Sequence, residues 1–300
     1  MTAVTTGIVP ANGIELAYET FGEPSNPTVL LIMGLGAQMI TWPDDFCQAL
    51  VDRGFHVVRF DNRDAGLSTH IETPGLDFEA AITGLLSGEE VETPYLLADL
   101  ADDAAGLLDA LEIESAHVVG ASMGGMIAQA LTISHPAKVR SLTSIMSTTG
   151  DPDVGAPDPE VLGALLSPRA TEREASIDGG VELARLIAAP DHFDEAETRK
   201  QVTAEYDRSF NPLGTARQLL AIVASGSRAE GLAQIRVPAL VVHGAQDPLV
   251  SISGGHRTAE LIPGAELMVI DDMAHDVPKP HHGRITDAIA DLARRADDQA

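Results

Sequence analysis

The chain has 300 residues, is 44% hydrophobic, and sets 45 Asp and Glu against 19 Lys and Arg, for a formal net charge of −26. A chain of that size can bury a large core, as one extended domain or as a core plus a lid, while a field of that sign repels nucleic acid phosphates and anionic lipid headgroups and favours a neutral small-molecule partner. Cys47 is the only cysteine, so no internal disulfide can form and a thiolate metal site is excluded.

Met1 to Pro10 has no basic leader, and nowhere do about 18 apolar residues run together. A cytoplasmic protein without stable membrane insertion is therefore expected, and a homodimer is compatible with this composition.

In chain order, short β-branched runs predict strands at Ile14–Thr20, Thr28–Met33 and His56–Asp61, with a helix over Asp44–Arg53 that buries Cys47. The first glycine-rich turn, Gly34-Leu35-Gly36, follows the second strand. After the third strand come the dense charges of Asp61-Asn62-Arg63-Asp64. Arg63 could hold a substrate carboxylate there, but such clusters more often pin loops by ion pairs. Ser68 to Pro94 reads as irregular, either lining a mouth or lying as plain surface.

A helix over Leu96–Leu111, a strand over Ala116–Gly120, a helix over Met123–Ser134 and a strand over Ser141–Ser147 follow. Then the rhythm breaks. From Gly150 to about Leu232 there are helical windows at Val181–Ala188 and Ala216–Ala224 but no convincing strand, so 150–232 reads as a helical cap over the carboxyl ends of the strands. Strands at Ala239–His243 and Glu266–Ile270 and a helix over Gly283–Ala296 complete the chain. The alternation predicts an α/β fold, one domain over 1–300 with a mostly parallel sheet, and strands apolar on both faces predict helices on each side.

The acid clusters at Asp99–Asp103 and Asp151-Pro152-Asp153 lack the frame of a calcium loop and read as solvated faces.

Gly120-Ala121-Ser122-Met123-Gly124 joins a predicted strand directly to a predicted helix. In such a tight turn the central residue is strained and only glycine neighbours let the two backbones approach, so Ser122 is thrust into a cleft as a nucleophile. A serine alcohol needs a base. His275 lies just past Glu266–Ile270, where its loop reaches the same rim; Asp247 lies in the turn after Ala239–His243, stiffened by Pro248, and would hold the imidazole in the right tautomer. Asp151 is the competing acid. The order Ser, Asp, His is the order of the α/β-hydrolase triad.

Negative charge on an attacked carbonyl would be met by the backbone N–H of Met123, at the helix start, and by that of Leu35 between its two glycines. Gly34, Gly36, Trp42, Met126 and Met273, with Met33 and Met39, are candidates for an apolar pocket, although methionine is also common core filler. His243, His117 and His135 read as locally bonded. His281 and His282 are adjacent, but no second pair supports a metal role, so no metal or cofactor is expected.

Together these residues resemble the α/β-hydrolase superfamily from about Ile14 to the last helix. Within it, Met33-Gly34-Leu35-Gly36, Trp42-Pro43, the run Asp61 to Ser68 and Val118 to Gly124 are similar to actinobacterial esterases of the aclacinomycin methylesterase type. The resemblance implies a cofactor-free serine esterase with a helical cap, with Ser122 as nucleophile, Asp247 as acid, His275 as base and the Leu35 and Met123 amides as oxyanion donors. Where such enzymes usually carry His-Gly in the oxyanion turn, this chain has Met33-Gly34, a departure that subgroup shares. The cap differs, so methyl-ester specificity is not carried over. The expected substrate is a carboxylic ester of a neutral, fairly apolar molecule. Lipases, phospholipases, thioesterases, carbon–carbon bond hydrolases and perhydrolases share the triad, and a receptor that keeps the fold without its chemistry is disfavoured by an intact one.

Overall fold

A computed structural model describes residues 4–167 and 170–299. Among these residues eight strands form one sheet, β1 (Thr5–Ala11), β2 (Ile14–Phe21), β3 (Thr28–Ile32), β4 (His56–Phe60), β5 (Ala116–Ala121), β6 (Val139–Ile145), β7 (Ala239–Gly244) and β8 (Glu266–Ile270), in the order β1-β2-β4-β3-β5-β6-β7-β8. The pairs from β4 through β3 to β8 are parallel; β2 is antiparallel to both β1 and β4.

The strand pleat explains the two-sided apolar pattern. In β3, Leu30 and Ile32 pack with Leu97, Leu100, Leu107 and Leu108 of α3 (Leu97–Ala110) and Ile127 and Leu131 of α4 (Met123–Ser134). Val29 and Leu31 join the opposite core, with Phe46, Cys47 and Leu50 of α1 (Asp44–Val51) and Ile285, Ile289 and Leu292 of α11 (His282–Asp297). Burial pushes the Cys47 thiol up to about 12.

Three elements exceed the sequence expectation. β1 pairs with β2 through the turn Asn12-Gly13, where both residues have positive φ (47° and 80°), the geometry a two-residue hairpin requires. Within the stretch expected to be irregular lies α2 (Phe78–Leu86), capped by the Asp77 carboxylate. Between β7 and β8 lies α10 (Ser253–Leu261).

The insertion between β6 and β7 holds α5 (Pro159–Leu166), α6 (Arg173–Ile187), α7 (Glu195–Arg208), α8 (Pro212–Ser225) and α9 (Ala229–Leu232), with no strand among its described residues. Among the described residues no helix is long and apolar enough to cross a membrane.

The charged loop after β4 ties this insertion to the sheet. Asp61 accepts from the Met39 amide (2.7 Å) and the Leu67 amide (2.9 Å) and pairs with Arg208 of α7 (2.7 Å). Asp64 accepts from Nε (2.8 Å) and Nη2 (2.7 Å) of Arg217 of α8 and from the Tyr95 hydroxyl (2.6 Å). Arg63 makes two bonds of 2.6 Å to the Asp103 carboxylate of α3. Both partners are buried, so Arg63 pins loops and its charge is already spent.

Removing one partner of such a pair leaves an uncompensated buried charge, at a cost of about 3–5 kcal/mol. Asp103→Ala is therefore expected to lower the urea midpoint sharply, whereas Arg63→Met/Asp103→Leu recovers most of the loss. Equal midpoints for the single and double variants would contradict this account.

Candidate active site

Ser122 sits between β5 and α4 with φ 56° and ψ −120°, a conformation that costs an L-residue about 1–3 kcal/mol. Its neighbours make that geometry obligatory. A Cβ on Gly120 would stand 2.0 Å from the Gly124 carbonyl oxygen, and a Cβ on Gly124 would stand 2.1 Å from the Ile32 carbonyl oxygen. The serine's own backbone is held on both sides: its N–H donates to Ile145 O (2.9 Å), and its carbonyl accepts from Ser147 Oγ (2.8 Å) and the Gly125 amide (2.9 Å).

Across the cleft, His275 Nε2 lies 2.9 Å from Ser122 Oγ, and His275 Nδ1 lies 2.8 and 3.0 Å from the two oxygens of Asp247. With Nδ1–H donating to the carboxylate, Nε2 presents its lone pair to the serine hydroxyl. His275 and Asp247 are buried, while Ser122 is half-buried. Asp151 takes no part. It accepts from Ser227 Oγ and Arg257 Nε instead.

The loop of Asp247 is self-supporting. Its Oδ1 accepts from the Leu249 (2.9 Å) and Val250 (2.8 Å) amides, as a post-strand turn led by aspartate should. His243, expected to pack or bond locally, donates to Val250 O (2.8 Å) and lies 3.4 Å from Asp247 Oδ2. Burial alone pushes the Asp247 carboxyl up, but hydrogen bonds from His243 and His275, the His275 charge and the Val250 amide outweigh it and bring it down to about 2. His243 packs and bonds locally as expected, and in doing so supports the acid, a role the sequence reading did not assign. Its one sequence signal is its place four residues before the acid.

The loop of His275 rests on the insertion. Its backbone N–H donates to Ile187 O at the end of α6 (2.9 Å), and the next residue, Asp276, accepts from the Ala189 amide (3.3 Å).

Gly34 borders the serine, since a Cβ there would lie 3.1 Å from Ser122 Cβ. The following residue, Leu35, has no hydrogen-bond partner among the described residues, and Met123, first in α4, has an N–H with no acceptor in its own helix. The Gly36 amide, by contrast, is taken by Gln218 Oε1 of α8 (2.8 Å). Trp42, Met273 and Met126 depart from the pocket expectation. Trp42 packs against Phe46 with ring centroids 5.1 Å apart, and it and Met273 are enclosed in the core that holds α1 and α11; Met126 belongs to the core on the opposite face of the sheet. Large apolar side chains at these positions are consumed by packing.

The alpha/beta hydrolase fold family matches residues 27–281. The chain belongs to that family. This α/β hydrolase is 28% identical to a rhodomycin D methylesterase of Streptomyces sp. (strain C5) over 97% of this chain and 99% of that protein. It is 30% identical to a 2-hydroxymuconate semialdehyde hydrolase of Pseudomonas sp. (strain CF600) over 65% of this chain and 68% of that protein. Among solved structures, an enol-lactonase from Burkholderia xenovorans LB400 superposes with a TM-score of 0.75 at 24% identity, covering 96% of this chain and all of that one.

Because the Asp247 pKa is depressed in the folded chain, its stabilisation is complete above the ordinary carboxylate value and is lost as the pH falls toward about 2. The depression corresponds to roughly 2 kcal/mol. Urea midpoints of the wild type and Asp247→Asn should therefore converge on acidification from pH 5 to about 2; a gap that stays constant over that range would refute the assignment.

Proposed function

We propose that this α/β hydrolase cleaves carboxylic esters of neutral, fairly apolar small molecules through an acyl-enzyme on Ser122. The observation that carries the reading is the single imidazole of His275 within hydrogen-bond reach of both the Ser122 hydroxyl and the Asp247 carboxylate. His275 Nε2 takes the hydroxyl proton as Ser122 Oγ attacks the ester carbonyl carbon, and Asp247 stabilises the imidazolium that forms. The Leu35 and Met123 amides receive the negative charge that develops on the carbonyl oxygen. The imidazolium then gives its proton to the departing alcohol, and a water molecule repeats the sequence to free the acid. The helices of 150–232 serve as the cap that excludes solvent from this exchange.

Charge supports a neutral substrate. Arg63, Arg208 and Arg217, which tie the charged loop after β4 to α3, α7 and α8, are each paired with a carboxylate, and the whole chain repels anions. That arrangement favours a neutral ester over an anionic substrate such as the 2-hydroxymuconate semialdehyde in the name of the Pseudomonas relative. Similarity to a methylesterase over nearly the full chain makes methyl esters the first natural class to try.

Ser122→Ala should abolish turnover of p-nitrophenyl esters and labelling by a fluorophosphonate, and Asp247→Asn should reduce kcat by about three to four orders of magnitude with KM little changed. Wild-type turnover in the serine variant would end the proposal.

A further inference from the structure

Three metal-competent side chains from distant parts of the chain meet beside the His275 loop. His192 follows α6 in the insertion, Asp272 follows β8, and His281 lies in the short turn that leads into α11. His192 Nε2 is 2.9 Å from Asp272 Oδ2, and His281 Nε2 is 2.9 Å from Asp272 Oδ1. The two imidazoles stand at 89° with centroids 5.4 Å apart, and the three donor atoms all lie within 4.8 Å of one another.

We propose that His192, Asp272 and His281 form a binding site for a divalent transition metal of the zinc class, which clamps the insertion to the loop that carries His275. Two imidazole nitrogens and a carboxylate oxygen are the donor set that zinc accepts in three-ligand sites, with water completing the tetrahedron. Bonds of about 2.0–2.2 Å place tetrahedral donors roughly 3.4 Å apart, between the 2.9 Å contacts to Asp272 and the 4.8 Å span of the cluster, so small rotations of Asp272 and of the imidazoles admit an ion. Asp272 has the freedom to make it, with its side chain 47% exposed. That exposure also leaves room for the water.

The hydrogen bonding of the cluster points the same way. His281 Nε2 is shielded from solvent and makes no hydrogen bond among the described residues, its polar neighbour being the Asp272 carboxylate. A net charge of −26 raises the local concentration of divalent cations further. On binding, each imidazole offers its Nε2 lone pair and carries its remaining proton on Nδ1; a histidine that was an imidazolium releases one proton to solvent.

The consequence is mechanical, because Asp272 precedes His275 by three residues and His192 lies beyond the Ile187 carbonyl that receives the His275 amide. The site stands apart from Ser122 and does not depend on the ester reading.

The test uses untagged protein freed of metal with a chelator. Titration calorimetry is expected to show one Zn²⁺ per chain, with a melting temperature raised by about 5 °C when free Zn²⁺ is about 100-fold above Kd. Co²⁺ should give visible absorption of a tetrahedral site, and Mg²⁺, which demands oxygen donors, should change nothing. Asp272→Asn, a near-isosteric change, and His192→Ala should each weaken Zn²⁺ binding by at least about tenfold, while His275→Ala should leave it intact. A wild-type chain that takes up neither Zn²⁺ nor Co²⁺ overturns the proposal. So does uptake that survives Asp272→Asn and His192→Ala, or uptake lost in His275→Ala, which would assign the ion to the catalytic cleft.

Discussion

Backbone-to-backbone contact between the Ser122 turn and the end of β3 is the constraint on which the site depends. Gly124 presses against the carbonyl oxygens of Ile32 and Met33, and Gly34 faces Ala121 O and Ser122 Cβ from the other side. One close approach therefore positions both the serine and the turn that carries the Leu35 amide. The strain at Ser122 is tolerable because the surrounding sheet over-determines the conformation through the Ile145 carbonyl and the Ser147 hydroxyl. Rigid placement of donor and nucleophile before substrate arrives is what electrostatic preorganisation requires.

A second layer of order comes from buried charge. Asp61, Arg63 and Asp64 leave β4 together, and their partners lie on α7, α3 and α8. Gln38 continues the network by donating to the carbonyls of Glu205 and Ser209 (2.7 and 2.9 Å) and accepting from Arg208. Such groups gain less net stability than an apolar core of equal volume would give. They do fix where the insertion sits, because any other seating would strand several desolvated charges.

Much of this was legible in the chain. β3, β5 and β7 were readable because both faces are buried, which leaves largely apolar runs, and the three strand-end side chains were readable because the glycine signature and the Ser, Asp, His order are local or sequential signals. β1 was missed because Pro10 and the polar residues Thr5 and Thr6 dilute its pattern, although Asn12-Gly13 marked the hairpin. α10 was hidden by Gly254 and Gly255, which argue against a helix by propensity. Their small size is a packing demand, since a Cβ on Gly255 would stand 2.5 Å from His243 Nδ1. The meeting of His192 with Asp272 spans 80 residues and has no local signature. Trp42 and Met273 read as pocket residues because composition cannot tell a core-facing ring from a cleft-facing one.

The state of Cys47 bears on how the molecule can be studied. Its thiol is enclosed on the inner face of α1 and held at about 12, so almost none of it is thiolate at neutral pH and maleimides have neither access nor a nucleophile. The native chain is in effect a cysteine-free background. A thiol introduced on the outer face of α6 would be the sole labelling position, and a fluorophore or spin probe there would follow the insertion relative to the sheet without any prior mutation of the host.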